Sequence, residues 1–173
     1  MTNNIMQTLP NAIDAEESVI GTILVHGAEA YEKVQPWIKN TEVFYKSIHQ
    51  ELWKAFKALY KSNQQIDVIT VKEKLKEMNL DLINKEETGA YYLTGLCTDI
   101  MGIASVVTHA KIVYEKYVQR QTAISSYKLF DKANDKYKNI QEGLVEHEKL
   151  IDELKSIQPS IKKTIDDVMD DTR

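Results

Sequence analysis

The chain has 173 residues, of which 43% are apolar and 28% charged, so it has enough apolar side chains to bury a core. Six glycines and three prolines provide too few turn residues for a many-stranded β-sandwich or barrel. The sequence has no run of 18 apolar residues that could cross a membrane, and residues 1–7 show no signal-peptide pattern. The single cysteine, Cys97, excludes an internal disulfide and a metal site built from several cysteines. We therefore expect a cytoplasmic, largely helical protein.

The net charge of −4 comes entirely from the C-terminal part of the chain. Residues 139–173 hold nine acidic and five basic residues, whereas residues 1–138 hold 17 of each. Residues 103–138 are locally basic, with seven basic and three acidic residues, and residues 139–157 are locally acidic, with five acidic and two basic residues. The broad basic surface of a nucleic-acid-binding protein is missing, which disfavours direct DNA binding. Neighbouring segments of opposite charge indicate helices that pack together, within one chain or between two.

Apolar residues at helical spacing predict three helices in the first third of the chain. Asn11 is a typical N-cap, and acidic residues follow it where the helix dipole favours them. Gly27 is a typical stop signal, and Ser47 is placed to cap the third helix. The predicted helices cover residues 11–25, 28–34 and 47–60.

Residues 66–71 are rich in β-branched side chains, which is typical of a strand, but residues 72–78 strongly favour a helix. We therefore interpret Asp67 as an N-cap and the whole stretch as one helix. After this helix we predict a loop over residues 80–88 and a short apolar helix over residues 89–96.

A stretch of 40 residues, 103–142, contains neither glycine nor proline and therefore favours long helices. Ser105 is placed to cap a helix that runs to about residue 137 and is roughly 50 Å long. Because such a helix is too long for the interior of a domain of this size, we expect it to project. Asn139, with Glu142 three residues later, resembles a capping box that opens a second helix. The two helices are predicted to form an antiparallel hairpin.

Apolar residues at helical spacing run along both helices of this hairpin. A projecting helix has no core of its own, and exposed apolar side chains of this kind mark interfaces. We therefore predict that the hairpin makes oligomer or partner contacts. The predicted interface residues are Val113, Tyr117, Ile124, Leu144, Ile151 and Leu154.

Pro159 is predicted to end the second hairpin helix, and Ser160 to cap a last, short one. A helix of about 12 residues is marginal alone, so it needs a partner surface. The residues predicted to dock on that surface are Ile161, Ile165, Val168 and Met169.

The predicted fold is all-α. It comprises a compact helical bundle over residues 1–102, a projecting antiparallel hairpin over residues 103–158 and a linker helix over residues 159–173.

Residues for catalysis or for metal or cofactor binding are not apparent. The sequence lacks the phosphate-binding G-x-x-x-x-G-K-[ST] loop, and its four histidines never occur at i, i+4. We interpret Cys97 as a small buried core thiol and His49 as a histidine that is hydrogen-bonded within the fold. Trp37 and Trp53 are not interleaved with basic residues, so they favour core packing over base stacking.

Five short segments, in order along the chain, resemble the motifs of DnaB-type replicative DNA helicases. They are residues 9–21 (LPNAIDAEESVIG), Phe44–Tyr45 with His49, residues 66–71 (IDVITV), Gly89 with Tyr92–Leu93 and Leu96, and residues 110–120 (AKIVYEKYVQR).

The resemblance is close over residues 9–121, with small departures. The family usually has Pro-Pro where this chain has Leu9-Pro10, and Gly-Gly where it has Thr88-Gly89. Ser105 replaces an asparagine and is an equivalent cap.

This resemblance implies an N-terminal domain with its hairpin and linker helix, without the RecA-like motor domain that holds the P-loop. It implies assembly through the hairpins, as a dimer or as a hexamer of three dimers, and a surface for a DnaG-type primase and for a helicase loader. The linker helix would dock on the adjacent subunit's motor domain. ATP and Mg²⁺ are implied only for the missing motor domain, so we expect no cofactor, metal or catalytic residue in this chain.

Three functions remain open at this point. The first is the N-terminal collar and linker of a replicative helicase in the cytoplasmic replication machinery. The second is a stand-alone helical regulator that binds a replicative helicase, loader or primase. The third is direct binding of single-stranded DNA, which the charge distribution disfavours.

Overall fold

The computed structural model describes residues 9–79, 88–98, 100, 102–135 and 139–170, with side chains up to residue 155 except at 88 and 90. This part of the chain contains seven α-helices, two short 3-10 helices and no strand, which confirms the predicted all-α class. The α-helices are α1 (Ile13–His26), α2 (Ala28–Val34), α3 (Ser47–Lys61), α4 (Val68–Glu77), α5 (Thr88–Leu96), α6 (Val106–Asn134) and α7 (Ile140–Asp170), and the 3-10 helices are Thr41–Val43 and Ile103–Ser105.

The chain divides into two compact units. One comprises Pro10–Tyr117 and is called the core unit below; the other contains the chain from Val118 onward and is called the hairpin unit. Helix α6 begins in the core unit and ends in the hairpin unit. The predicted boundaries after residues 102 and 158 stay predictions.

Helix α3 is the most clearly amphipathic helix of the core unit, and its apolar face is completely covered. The Trp53 ring packs against Tyr31, with ring centroids 4.8 Å apart, and against Phe44, at 5.8 Å. The lysines at positions 54, 57 and 61 lie on the opposite, exposed face. This face-by-face separation follows the 3.6-residue helical period. The apolar residues that α3 buries are Leu52, Trp53, Ala55, Phe56 and Leu59.

The start of α4 confirms that residues 66–78 form one helix and not a strand. The Asp67 carboxylate accepts hydrogen bonds from the backbone N–H groups of Ile69 and Thr70, each at 2.9 Å. In return the Thr70 hydroxyl accepts the N–H of Asp67 at 3.0 Å. This reciprocal capping box satisfies donors that would otherwise lack a partner at the helix start.

Two other predicted caps are wrong. Helix α1 begins at Ile13, with Ala12 and not Asn11 at the N-cap position and no side-chain capping bond. At α3 the N-cap is Lys46, so Ser47 is already helical. A carboxylate from α1 takes the capping role at α3. No local sequence signal indicates a cap that is supplied from another helix.

The hairpin unit confirms the antiparallel pairing of α6 and α7. Ser125 lies 2.7 Å from the Nδ1 atom of His147, and Lys132, further along α6, donates to Glu146 at 2.9 Å. Asn139 caps α7 as predicted, since its side-chain oxygen accepts the N–H of Gln141 at 3.0 Å.

The predicted break at Pro159 is wrong, because α7 runs without interruption from Ile140 to Asp170. Proline lacks the N–H that would bond to the carbonyl of residue 155, but one missing bond in a long helix can be tolerated. The side chains of the predicted docking residues, Ile161, Ile165, Val168 and Met169, lie outside the described residues, as does most of the predicted loop over residues 80–88.

Helices α1 and α5 approach closely at Gly21. A Cβ atom at this position would overlap the backbone carbonyl of Leu96 and lie 2.7 Å from the Cδ1 atom of Ile100. Because backbone atoms cannot move aside as a flexible side chain can, only glycine fits between these helices.

We expect Gly21→Ala to lower the free energy of unfolding by about 2–3 kcal/mol, since the added methyl group forces α1 and α5 apart. Gly95→Ala is the matched control, because it also lies within a helix and a Cβ there meets nothing within 4 Å. The control should stabilise the protein by about 0.5–1 kcal/mol. Urea unfolding measures the free energy of unfolding of both variants. Equal changes in the two variants would contradict the close approach of α1 and α5 at Gly21.

Candidate interaction surfaces

A buried carboxylate, that of Glu16 on α1, receives the start of α3. Glu16 is 1% exposed. It accepts the backbone N–H of Tyr45 at 2.6 Å, the N–H of Lys46 at 3.3 Å and a hydrogen bond from the Nδ1 atom of His49 at 2.7 Å. The N-terminus of a helix carries partial positive charge, so a negative side chain is favourable there. Glu16 therefore caps α3 from a different helix.

His49 extends this hydrogen-bonded network to α5. Its ring is completely buried, and its second nitrogen, Nε2, lies 2.7 Å from the hydroxyl of Tyr92. Both ring nitrogens thus have protein partners, which confirms the interpretation of His49 as a hydrogen-bonded histidine within the fold. Glu16, His49 and Tyr92 together join α1, α3 and α5, and we call them the Glu16 network.

The environment of Tyr92 favours its neutral form. Burial, followed by the nearby carboxylates of Glu17 and Glu16, raises the pKa of the Tyr92 phenol well above its ordinary value. Lys46 donates to Glu17 at 2.6 Å and lies 5.9 Å from the centre of the Tyr92 ring. The hydroxyl therefore stays protonated and available for hydrogen bonding across the physiological pH range.

A groove of about 530 Å³ lies between α1 and α5, beside the Glu16 network. Asp14 and Glu17 line it from α1, and Tyr91 and Leu96 from α5. Tyr91 is 83% exposed. Ser18, on the same wall, lies 2.7 Å from the Nδ1 atom of His109, which joins α1 to α6 within the core unit. Among the described residues, no three His, Cys, Asp or Glu side chains are grouped to hold a metal ion.

The remaining aromatic and thiol predictions have mixed outcomes. Trp53 is buried in the core, as expected, while Trp37 is half-buried, with its ring 6.4 Å from Tyr114 and Lys111 over its face at 4.9 Å. Cys97 is only partly buried, which corrects the prediction of a core thiol. Burial nevertheless raises the Cys97 pKa, so its reactive thiolate form is disfavoured.

The six predicted hairpin interface residues differ in exposure. Val113 and Tyr117 are 1% and 8% exposed, so these two side chains are buried by the chain itself. Leu154 is also buried, whereas Leu144 is 46% exposed. The remaining two, Ile124 and Ile151, are half-buried. Which of the six contact another molecule stays a prediction.

Other apolar residues of the hairpin unit are exposed, although the sequence prediction did not include them. Phe130 is 65% exposed, Ile140 36% and Val145 64%. Helical spacing already places Ile140 on the same face as Leu144, one helical turn away, although it is not among the six predicted interface residues. Phe130 and Val145 do not belong to the predicted apolar stripe.

No helix in the described ranges contains a stretch long and apolar enough to cross a membrane.

Comparison with known proteins identifies the family. The family model described as DnaB-like helicase N terminal domain matches residues 8–115, more than half of the chain. The chain belongs to this family. The replicative DNA helicase DnaB of Rhodothermus marinus is 28% identical over 166 residues, which cover 91% of this chain and 17% of the relative. The replicative DNA helicase DnaC of Bacillus subtilis is 28% identical over 145 residues, covering 84% and 31%.

A solved structure shows the same fold. The crystal structure of the N-terminal domain of DnaB helicase from Mycobacterium tuberculosis aligns with a TM-score of 0.73 and 24% sequence identity, covering 84% of this chain and 99% of that one. The chain thus spans less than a third of the length of these two helicases and matches a DnaB N-terminal domain.

The segments that resemble the DnaB family also build the Glu16 network. Glu16 lies in the first segment, Tyr45 and His49 in the second, and Tyr92 in the fourth. Their side chains and backbone meet in one hydrogen-bonded cluster although they are up to 76 positions apart in the sequence. The resemblance therefore follows residues that determine how α1, α3 and α5 pack in this DnaB-like domain.

We expect Tyr92→Phe to lower the free energy of unfolding by about 1–2 kcal/mol, because the buried Nε2 of His49 loses its partner. Tyr91→Phe, the same change at the neighbouring exposed position, should stay within about 0.5 kcal/mol of the wild type. Urea unfolding at neutral pH compares the two variants. Equal stabilities would show that the Tyr92 hydroxyl contributes nothing to the network.

Proposed function

We propose that the chain is a collar module of a replicative helicase, which assembles with further copies of itself and presents a surface to partner proteins. The observation that supports this most is the match of residues 8–115 to the DnaB-like N-terminal domain, followed by an antiparallel helical hairpin. In this proposal the module works in the cytoplasmic replication machinery. A DnaG-type primase and a helicase loader are the proposed partners.

The hairpin unit supports self-association. Three apolar side chains there, Phe130, Ile140 and Leu144, are between 36% and 65% exposed. Burying a large apolar side chain completely contributes about 1.5–3 kcal/mol. Association itself costs at least roughly 4 kcal/mol in lost freedom, so these three residues alone hold two copies together only weakly. A stable contact would also have to cover the half-buried Ile124 and Ile151.

The docking role of residues 161–169 is part of the same proposal. The backbone of this segment continues α7 as a helix, so Ile161, Ile165 and Met169 lie at i, i+4 and i+8 along it. The proposed partner is the motor domain of an adjacent subunit. ATP and Mg²⁺ would belong to that motor domain, since the matched N-terminal region carries no phosphate-binding loop motif.

Leu144→Asp tests the self-association, because it places a charge on the exposed face of α7 without disturbing a buried side chain. Sedimentation velocity across a range of protein concentrations should show the wild type forming dimers or larger species and the variant shifted toward the monomer. Far-ultraviolet circular dichroism should remain helical. Tyr117→Asp would not serve this purpose, since Tyr117 is buried and its loss would unfold the core.

Ile69→Asp is the matched control, because Ile69 is a 75% exposed apolar residue on α4 of the core unit. In sedimentation velocity, the Ile69→Asp variant should form the same proportions of monomer and larger species as the wild type. A wild type that remains monomeric at all concentrations, or a Leu144→Asp variant that assembles as the wild type does, would contradict the proposal.

A further inference from the structure

The solvent-facing side of α3 carries a row of lysines. Lys54, Lys57 and Lys61 lie at i, i+3 and i+7, all exposed, opposite the buried apolar face of the helix. Lys39 lines a cavity together with Lys57 and extends the row toward α2. We call these four residues the lysine face.

Several other lysines of the core unit form ion pairs, whereas those of the lysine face form none with the described residues. Lys33 donates to Glu29 at 3.0 Å, Lys46 to Glu17 at 2.6 Å, and Lys74 to Glu77 at 2.6 Å. The four lysines of the face form no ion pair with any residue that the structure describes.

One carboxylate is held near the lysine face. Glu32 of α2 accepts a hydrogen bond from the hydroxyl of Tyr60, on α3, at 2.8 Å. Glu51 lies three residues before Lys54 on α3. Two carboxylates do not compensate four lysines, so the face keeps an excess of positive charge that an acidic surface would complement.

The cavity beside the lysine face favours a protein segment over nucleic acid. It measures about 320 Å³, with Pro36, Ile38 and Trp53 among its lining and Lys39 and Lys57 as its charged residues. Trp53 and Ile38 are each 1% exposed, so the cavity offers no open aromatic ring on which a base could stack. An apolar side chain flanked by carboxylates fits this combination.

Helix α7 carries a strip with those properties. Val145, Glu148 and Asp152 lie at i, i+3 and i+7, all three are exposed, and Val145 is 64% exposed. Neither Glu148 nor Asp152 forms an ion pair with a described residue. Lys149 and Lys155 flank the strip, so its acidic part is narrow and would fix the register of a contact.

We propose that the lysine face of one copy binds the Val145–Glu148–Asp152 strip of a second copy. Lys57 and Lys61 are four residues apart, as are Glu148 and Asp152, so two aligned helices can form both ion pairs at once. Val145 would pack at the mouth of the cavity, beside the exposed Pro36. Each surface is exposed in the single chain, which leaves both available to a second copy. This proposal rests on the proposed self-association and adds a second, electrostatic contact to the hairpin contact.

The experiment uses two charge-reversed double variants of the full chain, Lys57→Glu with Lys61→Glu, and Glu148→Lys with Asp152→Lys. At low salt each variant alone should associate about tenfold more weakly than the wild type in sedimentation equilibrium, because like charges then face each other. A mixture of the two variants should recover wild-type association, since every reversed surface then meets a complementary one. At 0.5 M salt the differences should shrink.

Lys72→Glu with Lys76→Glu is the matched control, with the same charge change and the same spacing on α4; it should associate as the wild type does. The proposal is overturned if the lysine-face variant behaves like this control or if mixing restores nothing. If association is restored only when all four changes are combined in one chain, the contact forms within a single copy. That result would contradict the proposal. If the wild type binds a 20-residue oligothymidine and the lysine-face variant does not, the lysine face binds nucleic acid instead.

These outcomes separate the two proposals. If the wild type associates, Leu144→Asp weakens that association and the lysine-face changes have no effect on it, only the lysine-face contact is contradicted. A wild type that never associates contradicts both.

Discussion

The packing of the core unit depends on one buried carboxylate. Removing Glu16 from water is costly, by several kcal/mol for an unpaired ion, and the cost is offset only because three donors converge on it. Those donors are the N–H groups of Tyr45 and Lys46 and the ring of His49. Each of these three donors would lose the hydrogen bond that the carboxylate accepts if it were absent. The position of α3 relative to α1 is therefore set by polar groups that must satisfy each other, and apolar packing fills the space around them.

Because the Glu16 carboxylate fixes how the helices of the core unit pack, the residues that hold the fold together differ from those that are exposed to other molecules. Glu16 and His49 are buried and Tyr92 is half-buried, so the Glu16 network mainly holds α1, α3 and α5 in place. The surfaces proposed for contacts with other molecules are exposed: they are the apolar side chains of the hairpin unit and the lysines of α3. In the proposed function, the rigid core positions these surfaces for other proteins.

Local signals in the sequence predict much of this fold. Helical spacing locates the helices, the Asp67 capping box distinguishes a helix from a strand, and His49 is correctly assigned to the interior. Non-local effects account for the errors. The continuation of α7 through Pro159 depends on the whole helix and not on one residue. Neighbouring parts of the chain also bury Tyr117, which helical spacing alone does not indicate. The sequence near Glu16 indicates only an ordinary first-turn acid, because its partners lie about 30 positions away.

The most direct test of this account is the hydrogen exchange rate of the Tyr45 amide in the wild type and in Glu16→Gln. If the Glu16 carboxylate holds the start of α3, the wild-type amide should exchange only through global unfolding. In the variant it should exchange at least tenfold faster than the loss of global stability explains. The Gly27 amide, which bonds to the carbonyl of Ile23 at 2.8 Å independently of Glu16, serves as the internal reference. A Tyr45 amide that stays as protected as that of Gly27 in the variant would contradict the central role of Glu16.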